Sequence, residues 1–201
     1  MDGVIIALGD QPLPDHGALP AVDGDVGARV VGSRAFEVVD GKPAHLTRYD
    51  VEFAGGLGAV GRIEAVRAAR RRIAGALPLG TVLRGYERTS TRPEETADAV
   101  TSSAFALAVW LGVNDAARAE FDDWYDREHV ADLLGLEPWL HTRRYRQLDG
   151  SGPEFLALHY LADLEVFDEP AFRRIQETAW RTRLLPQRTG HERRVLRPIG
   201  D

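Results

Sequence analysis

Cysteine is absent from this chain of 201 residues, and its absence excludes several kinds of site. Disulfide bonds, thiolate nucleophiles, iron–sulfur clusters and sulfur-ligated zinc all require cysteine. A chain of this length buries roughly 70% of its unfolded surface, so a hydrophobic core can hold it together without covalent or metal cross-links. A chain without cysteine also suits a reducing compartment, and we expect a cytoplasmic protein.

An excess of positive charge is missing as well. Acidic residues number 31 and basic residues 25, which gives a formal net charge of −6, and Lys42 is the only lysine. Because phosphate contacts dominate the affinity of nucleic-acid-binding proteins, this balance argues against a nucleic-acid partner. The arginines of the segment 67–72 are therefore interpreted as the solvent-exposed face of a helix.

Long apolar runs are also lacking, since none approaches the ~20 residues of a membrane-spanning helix. The first residues, Met1-Asp2-Gly3, carry none of the positive charge with which a signal peptide begins. We therefore expect a soluble protein that has no membrane partner and binds a small-molecule substrate.

What the sequence does contain is a repeat. Gly85-Tyr86-Glu87-Arg88 in the first half is matched by Gly190-His191-Glu192-Arg193 near the end of the chain. Asp-Gly turn signals at 40–41 and 149–150 stand in matching places between strand-like segments. Several matches in one order indicate a tandem duplication.

Each half is predicted to follow the order βαββαβ, which is the ferredoxin-like arrangement. The second half is predicted to contain strands at 105–111, 140–148, 155–161 and 187–197, and helices at about 116–134 and 169–185. The first half is predicted to contain strands at 4–8, 32–39, 45–53 and 81–89, and a helix at 57–76. Its other helix is predicted to be lost or shortened, because prolines interrupt the segment 10–25.

The fold class that these elements predict is α+β. A βαββαβ unit covers one face of its sheet with helices and leaves the other bare, so two units should pack sheet to sheet as a single-chain α+β barrel. In this prediction residues 1–90 form the first, degenerate ferredoxin-like repeat, 91–102 the linker and 103–201 the second repeat. Because the repeats cover each other, we expect a monomer, or at most a homodimer formed through helices.

The second half carries a recognisable motif. It reads Phe121-Asp122-Asp123-Trp124-Tyr125-Asp126-Arg127-Glu128-His129, followed by Leu133-Leu134, Trp139 and Arg143-Arg144-Tyr145. This arrangement resembles the EthD-like members of the dimeric α+β barrel superfamily. The resemblance implies a barrel with a pocket between its helices and its sheet. Members include cofactor-free monooxygenases of aromatic polyketides, polyketide cyclases, lactone isomerases and haem-dependent proteins, so the fold alone does not choose a reaction.

One group of candidate residues lies on the helix of this motif. A regular helix aligns Trp124, Tyr125 and Glu128 on one stripe, with His129 at its edge. Histidine exchanges protons near neutral pH, so His129 is the predicted acid/base. Glu128 either orients His129 or ties a neighbouring loop, with Trp124 in the core.

A second group lies on the strands that follow. His141, Arg143 and Tyr145 alternate along one strand and therefore share a face. In one register of the next hairpin His159 lies opposite Arg143 on that face, and a slip of one residue puts Tyr160 there instead. Such a cluster can polarise a carbonyl or hold an enolate, or it can form a structural hydrogen-bond network between the repeats. The predicted catalytic residues are His129, His141 and His159, and the predicted substrate-binding residues are Trp124, Tyr125, Glu128, Trp139, Arg143 and Tyr145.

Metal and haem are the alternatives to a cofactor-free site. His129, His141 and His159 with Glu128 could ligate a divalent ion, but the sequence has no His-x-x-x-His or His-x-His spacing. His159 or His129 could be an axial haem ligand, although nothing else in the sequence favours haem. We therefore expect neither a metal nor a cofactor.

Two classes of function remain open. In the first, the chain is a cofactor-independent enzyme of polyketide or aromatic metabolism that cyclises, dehydrates or isomerises its substrate by acid/base chemistry; a variant is cofactor-free oxygenation of an activated phenol or enol. In the second, it is a non-catalytic small-molecule-binding barrel with structural histidines. We expect the site in the second repeat alone, because the segment 10–25 lacks the helix that forms a pocket wall.

Overall fold

The computed structural model describes residues 2–19, 27–93 and 102–199. The first half contains β1 (Asp2–Gly9), β2 (Ala28–Asp40), β3 (His45–Phe53), α1 (Ala59–Ala74) and β4 (Val82–Arg92). The second half contains β5 (Phe105–Val113), α2 (Arg118–Trp124), α3 (Val130–Leu134), β6 (Trp139–Gln147), β7 (Phe155–Leu161), α4 (Pro170–Gln176), α5 (Ala179–Leu184) and β8 (Arg188–Ile199). A π-helical turn, Tyr125–His129, joins α2 to α3.

The eight strands close into one antiparallel barrel in the order β1-β3-β2-β8-β5-β7-β6-β4. Each half contributes four neighbouring strands in the ferredoxin-like order, with its first strand between its third and its fourth. The predicted α+β fold of two ferredoxin-like repeats is thereby confirmed. The sheets meet at their edges, because β2 pairs with β8 and β4 pairs with β6. No helix in the described ranges is long and apolar enough to cross a membrane.

Alternation along each strand separates the barrel interior from the outer faces that carry the helices. Along β1, Val4, Ile6 and Leu8 belong to the interior cluster, whereas Ile5 and Ala7 pack in the cluster beneath α1. This is the period of two that a strand imposes on its side chains. The interior is filled by side chains from both halves, so the barrel is a packed core.

The four-residue match between the halves does not correspond to equivalent positions. Tyr86 on β4 points into the barrel, whereas His191 on β8 lies on the outer face under the helices. Two aligned residues on opposite faces differ by one step of register. The duplication is supported by the strand order, and the similarity of these letters is not a structural equivalence.

The degenerate part of the first half is a loop that packs on the sheet. After β1 the described chain forms a single 3₁₀ turn, His16–Ala18, in which the Ala18 amide donates to the carboxylate of Asp15, the N-cap residue, at 3.0 Å. Leu13 and Leu19 join the core beneath α1, and the Tyr49 hydroxyl donates to the carbonyl of Pro14 at 2.7 Å.

Two sequence predictions extend beyond the described part of the chain. The remainder of the segment 10–25, from residue 20 onward, and most of the linker 91–102 lie outside the described residues. β4 continues to Arg92, two residues past the predicted end of the first repeat. The domain boundaries therefore stay a prediction.

Candidate functional site

A cavity of about 180 Å³ lies between the outer face of the second repeat's strands and its helices. Its floor comes from β5, β7 and β8, and its walls come from α2 to α5. Most of the lining is apolar or aromatic with a few polar groups, which is the composition of small-molecule sites. The aromatic and histidine side chains of the lining are Phe121, Trp124, Tyr125, His129, Trp139, His159, Phe172 and His191.

The π-helical turn decides which side chains of the motif reach this cavity. The sequence predicts one regular helix through 116–134, but Tyr125–His129 adopts the wider turn. Such turns insert an extra residue and are frequent at functional sites. Tyr125 and His129 consequently both line the cavity, whereas Glu128 does not. The expected stripe, with Glu128 inside and His129 at the edge, is therefore reversed.

Glu128 fastens two helices together. Its carboxylate accepts a hydrogen bond from the indole of Trp124 at 3.1 Å and another from the hydroxyl of Thr178 at 2.6 Å. Thr178 is also the N-cap of α5 and accepts from the backbone of Arg181. The predicted substrate-binding role of Glu128 is thus not supported by its position, and the alternative of a structural tie fits these contacts.

His129 presents a neutral imidazole to the cavity. Its ring stacks on Trp124 at a centroid distance of 4.7 Å and meets the ring of Tyr125 edge-on at 5.0 Å. Neither ring nitrogen makes a hydrogen bond within the described part of the chain. Burial, followed by the nearby charges of Arg181 and Arg144, lowers the pKa of His129 from 6.5 to about 3. At neutral pH this imidazole is therefore an unoccupied proton acceptor.

His159 lies under the same cavity and is fully engaged. Its Nδ1 is 3.2 Å from the indole nitrogen of Trp139 and 2.9 Å from the Thr142 hydroxyl, and its Nε2 is 3.2 Å from the Tyr125 hydroxyl. Burial lowers the pKa of His159 well below 6.5, so the ring is neutral. The indole N–H of Trp139 can only donate, and it faces both Nδ1 of His159 and, at 3.3 Å, the Thr142 hydroxyl; in the tautomer in which Nδ1 accepts from it, the single proton of the ring is on Nε2.

This tautomer fixes the role of the Tyr125 hydroxyl. In that tautomer Nε2–H of His159 donates to the Tyr125 oxygen, which leaves the tyrosine's own proton available to a group bound in the cavity. Burial raises the pKa of Tyr125, which keeps it protonated. The guanidinium of Arg144 lies 4.5 Å from the centre of the Tyr125 ring. It forms ion pairs with Asp122 at 2.9 Å and with Asp126 at 2.8 Å. Tyr125 is therefore a positioned hydrogen-bond donor.

His141, Arg143 and Tyr145 do not reach this site. β6 pairs with β7 so that His141 lies opposite Tyr160 and Thr142 opposite His159, which is the slipped register. His141 and Tyr145 are buried in the barrel with Tyr160, on the other side of the sheet from His159. Of the two registers that the sequence leaves open, the one that puts Tyr160 on the face of Arg143 is therefore the one observed, and the shift of one residue moves His159 to the opposite face.

A β-bulge explains why Trp139 nevertheless lines the cavity. Trp139 and His141 are two residues apart, and a regular strand would place them on the same face. The pairing of β6 with β7 shifts between these two residues, so Trp139 lies on the outer face and His141 inside. Trp139 thus lines the cavity because of the bulge, which the alternation does not show, and its substrate-binding role stays a prediction.

The polar cluster inside the barrel connects the two repeats. Arg48 of β3 is 6% exposed and donates a hydrogen bond to the Tyr160 hydroxyl of β7, and it pairs with Asp50 at 2.8 Å. Arg143 lies over the ring of Tyr160 at 5.9 Å. These contacts correspond to the structural network between repeats that was the alternative to a catalytic cluster.

Sequence reasoning missed the basic residues of the cavity mouth. Arg181 of α5 and Arg188, His191 and Arg193 of β8 all belong to the lining. The alternation of β8 was the available signal, because it places His191 and Arg193 on the helix-facing side together. In the sequence, His191 stands out only as part of the repeat match.

The donor groups were compared with the requirements of a metal and of haem. Within the described ranges no group of three or more His, Asp or Glu side chains has a geometry that could hold a metal ion. Both nitrogens of His159 are used within the protein, whereas an axial ligand needs one nitrogen for iron. The cavity, at about 180 Å³, is also below the ~300 Å³ at which pockets for drug-sized ligands begin. These residues do not fit haem.

Comparisons with known proteins give the fold. No protein-family model and no curated protein sequence matches the chain. An anthrone oxidase-like protein is 10% identical, with a TM-score of 0.58 over 99% of this chain and 91% of that one. A provisionally named monooxygenase of Fusobacterium nucleatum subsp. nucleatum ATCC 25586 is 10% identical, with a TM-score of 0.54 over 99% and 92%. A provisionally named chlorite dismutase is 10% identical, with a TM-score of 0.55 over 100% and 96%.

At this level of identity the matches show a shared fold and no more. They cover almost the whole chain, including both repeats, and so agree with the single-chain α+β barrel. The shared fold is an antiparallel barrel of two ferredoxin-like repeats, here closed within one chain.

Proposed function

We propose that the chain is an enzyme that removes a proton from a phenol or enol of a small aromatic or polyketide-like compound. The observation that carries this proposal is the pair of groups at the buried end of the cavity. His129 is a neutral imidazole with no hydrogen-bond partner in the described chain, and beside it the Tyr125 hydroxyl is oriented to donate. One group accepts the proton, and the other stabilises the oxyanion that remains.

The low pKa of His129 is compatible with this role because it describes the imidazole before a substrate binds. An imidazole buried near two arginines holds a proton poorly by itself. When the proton comes from a bound substrate, an oxyanion is left next to the imidazolium, and the attraction between the two raises the pKa of His129. The ion pair therefore forms together with the substrate anion and not before it.

The remaining lining holds the substrate ring. Trp124, Trp139 and Phe172 supply aromatic surface, and Trp139 and Phe172 are stacked at 5.9 Å. His159 acts through Tyr125, so it is a positioning residue in this proposal. The reaction of the anion is then cyclisation, dehydration or isomerisation, as the EthD-like resemblance implies.

A second candidate is oxygenation of the same anion. It is favoured by the names of two structures with this fold, the anthrone oxidase-like protein and the monooxygenase of Fusobacterium nucleatum. In an oxidation of this kind dioxygen is the oxidant: a ring CH₂ becomes C=O, and the second oxygen atom leaves as water. The deprotonation step is common to both candidates.

The step that they share can be tested without the natural substrate. The absorbance of 4-nitrophenolate reports ionisation of the bound phenol, and we expect the cavity to lower the pKa of bound 4-nitrophenol by at least one unit. His129→Leu and Tyr125→Phe should each reverse most of this shift, whereas His16→Leu, on the exposed turn of the first repeat, should not. A bound nitrophenol that titrates as in water contradicts the proposal.

Turnover separates the two candidates. 1-Naphthol, an activated phenol of two rings, in an oxygen electrode tests oxygenation, and proton exchange of enolisable ring substrates in deuterated buffer tests the non-oxidative reaction. In whichever assay is active, His129→Ala should reduce turnover by ~10²–10⁴-fold while the protein stays folded. Full activity of His129→Ala would remove His129 from the mechanism.

A further inference from the structure

The cavity has a buried aromatic end and an exposed cationic mouth. Tyr125 and His159, at the buried end, are 3% and 1% exposed. Arg188 begins β8 at the other end, and His191 follows three residues later; both are exposed. Arg181 of α5 is half-buried between these two regions. A ligand that fills the cavity therefore has one end in an apolar box and the other beside positive charge.

Of the three arginines at the mouth, only Arg193 has an acidic partner among the described residues, Asp40 at 3.6 Å. None of the residues that line the cavity is Asp or Glu. The Arg181 guanidinium donates to the neutral carbonyl of Gln176 at 2.5 Å, and neither Arg181 nor Arg188 has an ion-pair partner among the described residues. Arg183, on the same helix but outside the lining, does pair with Glu120 at 2.5 Å. The charges of Arg181 and Arg188 are thus not neutralised by an acidic partner in the described chain, whereas the charge of Arg183 is neutralised by Glu120.

The positive charges at the mouth repel one another, and burial together with this repulsion lowers the pKa values of Arg181 and His191. Burial, followed by the charge of Arg188, lowers the pKa of Arg181. Burial, followed by Arg188, Arg193 and Arg181, lowers the pKa of His191. An anion placed among these groups relieves their repulsion and accepts charge-assisted hydrogen bonds. Arginine is suited to this, because its planar fork matches a carboxylate.

We propose that Arg181 and Arg188 bind the carboxylate of the substrate, and that the substrate class is an aromatic carboxylate of one or two rings. The size follows from the cavity, since about 180 Å³ is slightly larger than the ~150 Å³ that accommodates benzene in an apolar cavity. The inference rests on the proposed function for the identity of the active site. Binding of the anion, however, requires no turnover, so it can be measured separately.

The test compares two probes with the same ring system, 2-naphthoate and the uncharged 2-naphthamide. Trp124 and Trp139 line the cavity, so quenching of tryptophan fluorescence reports binding, and calorimetry confirms the stoichiometry. We expect 2-naphthoate to bind at least ten times more tightly than 2-naphthamide at low salt. Added salt should weaken the binding of the carboxylate and leave that of the amide unchanged.

Variants identify the residues. Arg188→Gln and Arg181→Gln should each weaken 2-naphthoate five- to twentyfold and leave 2-naphthamide within twofold. Arg183→Gln is the matched control, because it removes the same charge from α5 outside the lining. Because Arg181 is half-buried, its variant is also checked by thermal melting, and the exposed Arg188 provides a test that does not depend on folding.

Each outcome bears on one proposal. Equal binding of the two probes, absence of binding by both, or an equal loss in Arg183→Gln would overturn the carboxylate site. If 2-naphthoate is preferred and the preference is lost in Arg188→Gln, the site stands even when His129→Ala leaves turnover unchanged. That last result contradicts the proposed reaction alone.

Discussion

The neutral state of His129 has a measurable consequence for stability. A histidine that stays neutral in the folded protein, but takes up a proton in the unfolded chain, favours unfolding in acid. The stability is complete above the ordinary pKa of 6.5 and is lost as the pH falls below it, until the folded-state pKa of about 3 is reached. His129→Gln removes the titrating group and keeps a polar side chain of similar length.

The size of this loss in the free energy of unfolding depends little on the pKa of His129 in the folded protein. At pH 5 the unfolded chain gains about 2 kcal/mol from protonating a group whose pKa is 6.5, while a folded-state group with a pKa of about 3 gains almost nothing. For a protein of this size ~2 kcal/mol corresponds to a melting temperature lower by ~4–8 °C. We therefore expect the free energy of unfolding of His129→Gln to rise by ~2 kcal/mol relative to wild type between pH 8 and pH 5.

Urea unfolding at pH 8, 6.5 and 5, followed by tryptophan fluorescence, measures this difference. Carboxylates also titrate in this range, but they are common to both proteins and cancel in the comparison. His16→Gln is the control, because His16 is exposed on the first-repeat turn and should give a curve parallel to wild type. If His129→Gln also runs parallel to wild type, His129 titrates in the folded protein as it does in the unfolded chain, and the argument for a neutral base fails.

Three further predictions concern contacts outside the reacting groups. Glu128→Ala leaves Trp124 and Thr178 without their acceptor and should lower the free energy of unfolding in urea by ~1–3 kcal/mol. The amide oxygen of Glu128→Gln can still accept, so this variant should lose at most half as much. Equal losses in the two variants would show that only the charge of Glu128 matters. Leu13→Ala opens a hole beneath α1 and should cost ~2–4 kcal/mol, and a loss under ~1 kcal/mol would mean that the loop does not support the first repeat. Sedimentation at low micromolar concentration should show a monomer or a dimer formed through helices, and a tight dimer joined through sheet faces would contradict the duplication argument.

The order of elements could be read from the sequence because it rests on local signals. Alternation within strands, the Asp-Gly turns and the prolines after β1 are properties of short segments. The predicted strands at 45–53 and 155–161 have the observed bounds, and the other six differ at their ends by a few residues. Thr178 shows the limit of such reasoning: the predicted helix at 169–185 is two helices, because its hydroxyl caps the second.

The faces of the site residues could not be read in the same way. The face on which a side chain lies changes wherever one extra residue is inserted into a strand or a helical turn. The second repeat has two such insertions at the cavity. The bulge after Trp139 separates it from His141, and the wider turn at Tyr125–His129 exchanges the positions of Glu128 and His129. Neither is visible in a pattern of apolar residues, since each depends on packing against the rest of the domain.

The two repeats present the same outer face, yet among the residues that the structure describes only the second has an aromatic cavity with histidines in its wall. In the first repeat the Tyr49 hydroxyl is used to hold the loop at Pro14, and Leu13 fills the space next to α1. In the second the corresponding space is spanned by a helix whose π-helical turn aims Tyr125 and His129 inward. A loop that collapses onto a sheet can bury apolar surface at little cost, but a helix cannot follow the sheet closely and leaves a gap at its ends. The collapsed loop of the first repeat and the aromatic cavity of the second therefore follow from one difference in the described chain, the presence or absence of that helix.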